Sequence, residues 1–510
     1  MKNLKSKIAC IYLRSLHGIL LADQKEVTNL QNTNYKKLRK SLDGTKVSRK
    51  FGLDNLESYK EYAEHFKVRE YDDFKPFIDA HVHGATNVLF KKDVLYFGLT
   101  SGTSGKDSKK VPYNKEMISS FQKAQKYLAA VISHEVKGLD LLTASRLSYG
   151  SSPITYEEDG MSFGYISGIL TAKTPASLKK MTHPSIDTLS IENWEHKMNE
   201  IYEQTINVDL KVASGIPTYL ISIFEYVLER TGKKTISEIW PNLETVIYGA
   251  TTIDQYRDRL NELVGKRLNY FGIYASTEAP IGIGINNAKD EKQVYTFHPE
   301  LVFTFNEVET LDQCGIGELE IGVDYFVNTS TPNGLINYAM KDIIRIKSVS
   351  PVLTFEVLGR QGSGINLAAE KTTDEHVLDS VVALSKKIGT NVDHYFLSPS
   401  IKNGKHCYSW TIFSDELNNG ASSTELESLI DQILCENNLD YADCREDSII
   451  ESPVVTIAPS NFIKEYFDLY KNKGQFKMKT VFGSSDDFQS FLNNSIPNLQ
   501  SYLGSVACQL

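Results

Sequence analysis

DVLYFGLTSGTSGKDSKKVP, residues 93–112, runs from an apolar stretch of branched and aromatic side chains straight into a loop of glycines, hydroxyls and lysines. The first part reads as a strand and the second as the loop at its C-terminal end. From Thr100 to Pro112, small and hydroxyl-bearing residues at consecutive positions let backbone N–H groups turn inward as an anion-binding nest, and Ser and Thr add donors for phosphate oxygens. Lys106, Lys109 and Lys110 bring positive charge. The G-x-x-x-x-G-K-[ST] pattern cannot be aligned here, so this is no Walker A loop. By composition alone a solvated flexible loop is an equally good reading.

Outward from that stretch the same grammar repeats. LETVIYGA (243–250) and RLNYFGIYAS (267–276) are further apolar runs ending in glycine-bearing loops, and helix-period segments lie between them at 114–135 and 218–234. Alternating strand and helix imply an α/β domain whose ligands gather at strand C-terminal ends. From about 299 to 358 the helices stop and short strands follow one another: LVFTFNEVE, GELEIGV, DIIRIKSV and LTFEVLG. After Gly359 the pattern becomes helix, two strands, helix, strand and helix, with a break at the glycine-rich GRQGSG (359–364). The expectation is a large N-terminal α/β domain over 1–358, made of mixed sheets with helices and a β-rich part at about 299–358, followed by a smaller mobile α+β domain over 359–510.

Composition narrows the function. The 510 residues are 41% hydrophobic and 23% charged, with a net charge of −9, the wrong sign for nucleic acid or an anionic membrane. Any polyanion should be small and held in a local pocket. Six cysteines occur without a C-x-x-C pair, which argues against a zinc ribbon or disulfide framework and for a reducing cytoplasm. The first 24 residues have early lysines and an apolar stretch, which a signal or transit peptide would also show, but Arg14 and His17 interrupt it well short of the ~18 residues of a membrane span, so an amphipathic helix is the better reading.

Two more stretches carry chemistry. Tyr274 to Glu278, YASTE, puts hydroxyls beside a carboxylate at a strand end, which suits phosphate with Mg²⁺, because Mg²⁺ takes one or two carboxylates along with phosphate oxygens. NYAMKD, Asn337 to Asp342, places an Asp at the start of a strand. In isolation the first is more often a turn and the second a strand-end cap.

The order of these motifs resembles the adenylate-forming superfamily of acyl-CoA synthetases, peptide-synthetase adenylation domains and luciferase. Within it, SGTSGKDSKKVP, SGIPTYL (214–220), ERTGKKTISEIWPNLE (229–244), YASTE and GRQGSGIN (359–366) look like the Gretchen Hagen auxin-responsive family of acyl acid amido synthetases, particularly its bacterial members. The likeness extends over about 55–480. It implies ATP and Mg²⁺ as cofactors and a small carboxylic acid and an amine, such as an amino acid, as substrates. The acid would be activated as its acyl-adenylate and the acyl group passed to the amine. By the same resemblance Ser101, Gly102, Thr103, Ser104 and Lys109 grip the triphosphate; Gly249 and Ala250 lie against adenine; Tyr274 stands beside the base. Ser276 and Thr277 contact phosphate, Glu278 holds Mg²⁺, Asp342 takes the ribose hydroxyls, Arg360 marks the hinge and Lys477 is the late lysine of the small domain. Physical chemistry agrees with these roles: an anionic acid attacks an anionic phosphate, so preorganised cations such as Mg²⁺ on Glu278 and the Lys477 ammonium must oppose the charge that builds.

Some positions depart from the family pattern. An Arg-Tyr…Gly-Asp run usually precedes the ribose aspartate, whereas Asn337 and Lys341 stand at the Arg and Gly places. Gln361 and Gly362 follow Arg360 where a basic residue is usual, and Met478 and Lys479 replace a Pro-Arg. A thioester-forming acyl-CoA ligase and a catalytically impaired nucleotide-binding homologue are the alternatives these changes leave. DAHVHG (79–84) mimics the D-x-H-x-H of metal-dependent amidohydrolases, yet the other nine histidines form no second cluster. Ser214 and Gly150-Ser151-Ser152 lack the G-x-S-x-G context of a hydrolase. The acyl pocket should draw on 115–230, where Phe163, Tyr165 and Tyr219 suit either an aromatic acid or core packing. No motif specifies the acid, the amine or the oligomeric state.

Overall fold

The computed structural model describes residues 2–100, 109–191, 193–254, 256–360, 364–365, 367, 370, 372–418, 422–446, 450–470 and 478–507. The chain divides into two compact units, one of 1–253 with 257–357 and one of 254–256 with 358–510.

The larger unit carries strands β1 (Tyr96–Leu99), β2 (Lys110–Tyr113), β3 (Ser145–Ser148), β4 (Tyr156–Glu158), β5 (Met161–Gly164), β6 (Thr182–His183), β7 (Leu210–Gly215), β8 (Thr245–Tyr248), β9 (Asn269–Ala275), β10 (Pro280–Gly284), β11 (Tyr295–Phe297), β12 (Val302–Glu307), β13 (Gln313–Cys314), β14 (Asp324–Ser330), β15 (Tyr338–Ser348) and β16 (Thr354–Arg360). Four form a small sheet in the order β2-β1-β5-β4, and twelve form one sheet in the order β13-β12-β14-β15-β16-β11-β10-β9-β8-β7-β3-β6. Strands β6, β3, β7, β8 and β9 run parallel, and their central residues, such as Leu147, Ala213 and Val246, are fully buried, as a sheet covered on both faces requires. Strand β10 turns back antiparallel to β9. The β-rich stretch then continues the same sheet, joined where Tyr295 of β11 faces Phe355 of β16.

Helices cover the parallel part. Asn114 caps the helix Lys115–Glu135 by accepting from Met117 N at 2.8 Å. No glycine or proline interrupts it, and Met117, Phe121, Ala124, Leu128 and Val131 recur at helical spacing on its buried side. The N-terminal segment is a helix, Lys2–Leu20, whose Leu16 and Leu20 join the same apolar cluster and whose His17 ring stacks on His134 at 4.2 Å. Among the described residues, no helix is long and apolar enough to cross a membrane.

The smaller unit has a three-stranded sheet, β17 (His394–Lys402), β18 (Lys405–Phe413) and β19 (Val454–Ala458), in that order. The helices Asp374–Ile388 and Ser423–Asn437 bury Val377, Val381, Leu384, Ile430 and Leu434 with Trp410 in one core, while Phe396, Phe413, Tyr466, Phe482 and Phe488 make a second.

Candidate active site

The 93–112 stretch is a hairpin. Leu99 of β1 pairs with Lys110 of β2, and Thr100 N donates to Lys109 O at 3.1 Å, closing the stem of the loop. Ser101, Gly102, Thr103 and Ser104 lie outside the described residues. At the stem, the exposed Lys109 holds its ammonium 5.1 Å from the Tyr71 ring centre, and Lys110 sits 4.9 Å over Phe163 and 3.7 Å from Glu158.

Two hydrogen bonds tie that stem to YASTE. Thr277 Oγ1 donates to Leu99 O at 3.3 Å, and the buried Tyr113 hydroxyl donates to Thr277 O at 2.6 Å. Tyr113 reaches Thr277 by crossing β1 over Gly98, where a Cβ would stand 2.4 Å from the hydroxyl oxygen. The Ser276 hydroxyl accepts from Glu278 N (3.1 Å) and Ala279 N (3.3 Å), capping the turn. Glu278 is only 7% exposed, accepts from the Tyr338 hydroxyl at 3.3 Å, and has no Lys, Arg or His partner among the described residues. Burial, with the Glu278 charge second, pushes the Tyr113 hydroxyl well above its ordinary pKa.

A cation bound beside such a buried carboxylate would offset the cost of its desolvation. Among the described residues no three His, Cys, Asp or Glu side chains cluster as a metal cage. A single buried carboxylate can nevertheless serve Mg²⁺, which completes its shell with phosphate oxygens and water.

Asp342 is presented by a bulge. Phe326 faces Ile343 and Asn328 faces Ala339, so residues 340–342 of β15 stand opposite Val327 alone. Lys341 within the bulge has φ +61°, the left-handed region that favours glycine, and its ammonium pairs with Glu70 at 2.8 Å. The Tyr274 hydroxyl donates to Asp342 Oδ2 at 2.6 Å. Three strands separate β9 from β15 in the sheet order. At ~4.8 Å per strand a flat sheet would hold them about 19 Å apart. The sheet is therefore curled around this point, and the Glu278–Tyr338 contact bridges the same two ends. Gly249 and Ala250 follow β8, one strand beyond β9; Ala250 has φ +68°, an outlier of the kind that clusters at ligand sites.

Leu99, Thr277, Glu278, Tyr338, Tyr274 and Asp342 thus belong to one connected neighbourhood. Arg360 is the last residue of β16, whose end from Leu358 onward falls in the smaller unit. Lys477, Gln361 and Gly362 lie outside the described residues. Just after Lys477, Thr480 O accepts from Leu397 N at 2.7 Å and Phe482 N donates to Leu397 O at 2.9 Å, while Lys479 pairs with Asp487. The sequence assigns no role to Tyr113 or Gly98, and Tyr338 stands in it only as part of NYAMKD; Gly98 faces Val111 in the register and Tyr113 faces Tyr96, so the Tyr113–Gly98 approach is diagonal and no local pattern announces it.

The other candidates resolve locally. Phe163 is core, stacked between Phe97 (4.9 Å) and Tyr156 (4.6 Å). Tyr165 is half-buried, and Tyr219 stacks on Tyr149 at 4.8 Å near the ends of β7 and β3. DAHVHG lies on the helix Tyr71–Val82 and its end, not on a strand; His81 is buried against Phe90 and accepts from Leu89 N at 3.0 Å, while His83 bonds to Asp79 O.

The fold has counterparts among solved structures. AtGH3.15 acyl acid amido synthetase in complex with 2,4-DB matches with a TM-score of 0.75 at 16% identity, covering 96% of each chain. 2-Hydroxyisobutyryl-CoA ligase in the postadenylation state with 2-HIB-AMP matches at 0.56 and 11% identity, over 95% of this chain and 91% of that one. The fold is that of adenylate-forming ligases. Residues 17–198 match the GH3 family N-terminal domain and 375–486 the GH3 family C-terminal domain, together more than half of the chain, which belongs to the GH3 family. In Arabidopsis thaliana, indole-3-acetic acid-amido synthetase GH3.4 is 24% identical over 261 residues, 48% of this chain but only 42% of that protein. The 4-substituted benzoates-glutamate ligase GH3.12 is 21% identical over 402 residues, 66% of this chain and 69% of that protein.

Proposed function

We propose that this GH3 protein adenylates a small carboxylic acid with ATP and transfers the acyl group to an amine, an amino acid in the first instance, forming an amide. The observation that carries the reading is the convergence of the loop stem, the YASTE turn and Asp342 through Thr277, Glu278 and the Tyr274–Asp342 hydrogen bond. Ser101, Gly102, Thr103, Ser104 and Lys109 hold the triphosphate, with Ser276 and Thr277 beside it. Gly249, Ala250 and Tyr274 flank the adenine, and Asp342 accepts from the ribose hydroxyls. Glu278 would hold Mg²⁺, which when bound adds Lewis-acid charge at the phosphate oxygens.

Lys477 adds a second cation for the attack of the acid on the α-phosphorus, and Arg360 serves as the hinge between a larger domain of 1–358 and a smaller one of 359–510. Withdrawal of Lys477 then opens the way for the amine. A cytoplasmic setting suits this chemistry and the free thiols of Cys314, Cys407 and Cys435.

The test is pyrophosphate exchange across a panel of carboxylic acids, followed by product analysis with each of the twenty amino acids or with coenzyme A. Acid-dependent exchange and an amide product are expected. A thioester as the only product would overturn the amide assignment. Lys477→Ala should cripple exchange with ATP binding nearly intact; retained exchange would remove the lysine from the mechanism.

A further inference from the structure

We propose that Tyr274 is a positioning residue for ribose recognition, its phenol setting the Asp342 carboxylate, in addition to any contact its ring makes with the base. The inference rests on the reading of Asp342 as the ribose acceptor. Asp342 sits on a three-residue bulge whose neighbour Lys341 is held in a left-handed conformation, so backbone pairing alone does not dictate where its carboxylate points. The Tyr274 hydroxyl holds one of its oxygens by a 2.6 Å bond to Oδ2, the short charge-assisted kind.

The donor is itself rigid. The Tyr274 ring meets Tyr295 and Phe355 edge-on at centroid distances of 6.0 and 6.1 Å. Gly282 of β10 makes room for that arrangement, because a Cβ there would lie 2.9 Å from Phe355 Cζ and 3.3 Å from Tyr274 Cδ1. A wedged ring carrying a hydroxyl across the curl of the sheet is a fixed arm between β9 and β15. It removes the torsional freedom that the carboxylate would otherwise lose on meeting a nucleotide.

The experiment compares ATP with 3′-deoxy-ATP and 2′-deoxy-ATP in acid-dependent pyrophosphate exchange by the full chain. The wild type should discriminate against the deoxy nucleotides, and Asp342→Ala should erase the discrimination. Tyr274→Phe, which keeps the ring, should raise the KM for ATP up to about tenfold with little change in kcat. It should raise the KM for the deoxy nucleotides, each of which keeps one ribose hydroxyl, by less than for ATP, so the discrimination falls between the other two. Gly282→Ala, which displaces the arm without removing the hydroxyl, should shrink it as well and provides the readout if Tyr274→Phe folds poorly. Full wild-type discrimination in the Tyr274→Phe enzyme, or in Gly282→Ala where Tyr274→Phe does not fold, with loss in Asp342→Ala, would overturn the positioning role alone. Unchanged discrimination in Asp342→Ala would overturn the ribose reading beneath it.

Discussion

Glu278 is a carboxylate only 7% exposed and touched by a tyrosine hydroxyl. A cation that binds beside such a group offsets the cost of its desolvation. Glu278→Gln should therefore abolish the Mg-ATP-dependent shift in thermal unfolding, which at 100 times Kd corresponds to ~2.7 kcal/mol. A full shift in the Gln variant would mean that Glu278 does not serve the metal. Lys341 shows a different kind of tension. A left-handed backbone costs a non-glycine residue about 1–2 kcal/mol, and the half-exposed pair with Glu70 returns only part of it. The conformation explains why glycine suits this place in the family pattern, and Lys341 adopts it nonetheless. Asn337, where that pattern has arginine, is buried with φ +50° and uses its amide as a structural tie, its Nδ2 donating to Phe66 O at 2.6 Å.

The β1–β2 pair holds its loop stem against the YASTE turn, and the link depends on one missing side chain. Gly98 lets the Tyr113 phenol cross β1 to Thr277 O. Gly98→Ala would place a methyl 2.4 Å from the hydroxyl oxygen, and the phenol would have to move. Overpacking of this kind costs ~1–3 kcal/mol. The expected outcome is a lower denaturant midpoint together with weakened ATP binding. Unchanged nucleotide affinity at the reduced stability would show that the hairpin need not be moored to the turn. The curl of the sheet acts at this scale too, since β9 and β15 meet only because the strands between them bend.

At the scale of the molecule, pH reaches the larger unit through buried imidazoles. His81 and His298 are 2% and 0% exposed, and burial pushes each down to about 4. His298 accepts from Glu300 N through Nδ1 (3.2 Å), so its other nitrogen donates to Ser120 O (3.1 Å) and the ring is held neutral. Unfolded, both titrate near 6.5. Between about 6.5 and about 4 the unfolded chain binds more protons than the folded one, so stability falls as pH falls through that window. Urea midpoints measured from pH 7 to pH 4.5 should decline, and His298→Gln should flatten the slope; an equal slope in the variant would exclude His298 as a source.

The α/β class, the helix over 115–135, the run of short strands after 299 and the order of the glycine and hydroxyl motifs were all legible in the chain, because each is a local property of neighbouring residues. DAHVHG is set aside by the sequence as a metal motif in favour of surface or capping histidines; it lies on a helix and its end, where His81 is buried instead because it packs into the core beside Phe90. Contacts between distant segments were not legible. That Tyr274 meets Asp342, that Tyr338 meets Glu278, and that Gly98 serves Tyr113 depend on how tightly a twelve-stranded sheet curls and on where a bulge falls. Curl and bulge are settled by packing many side chains at once, and no stretch of the chain records that sum.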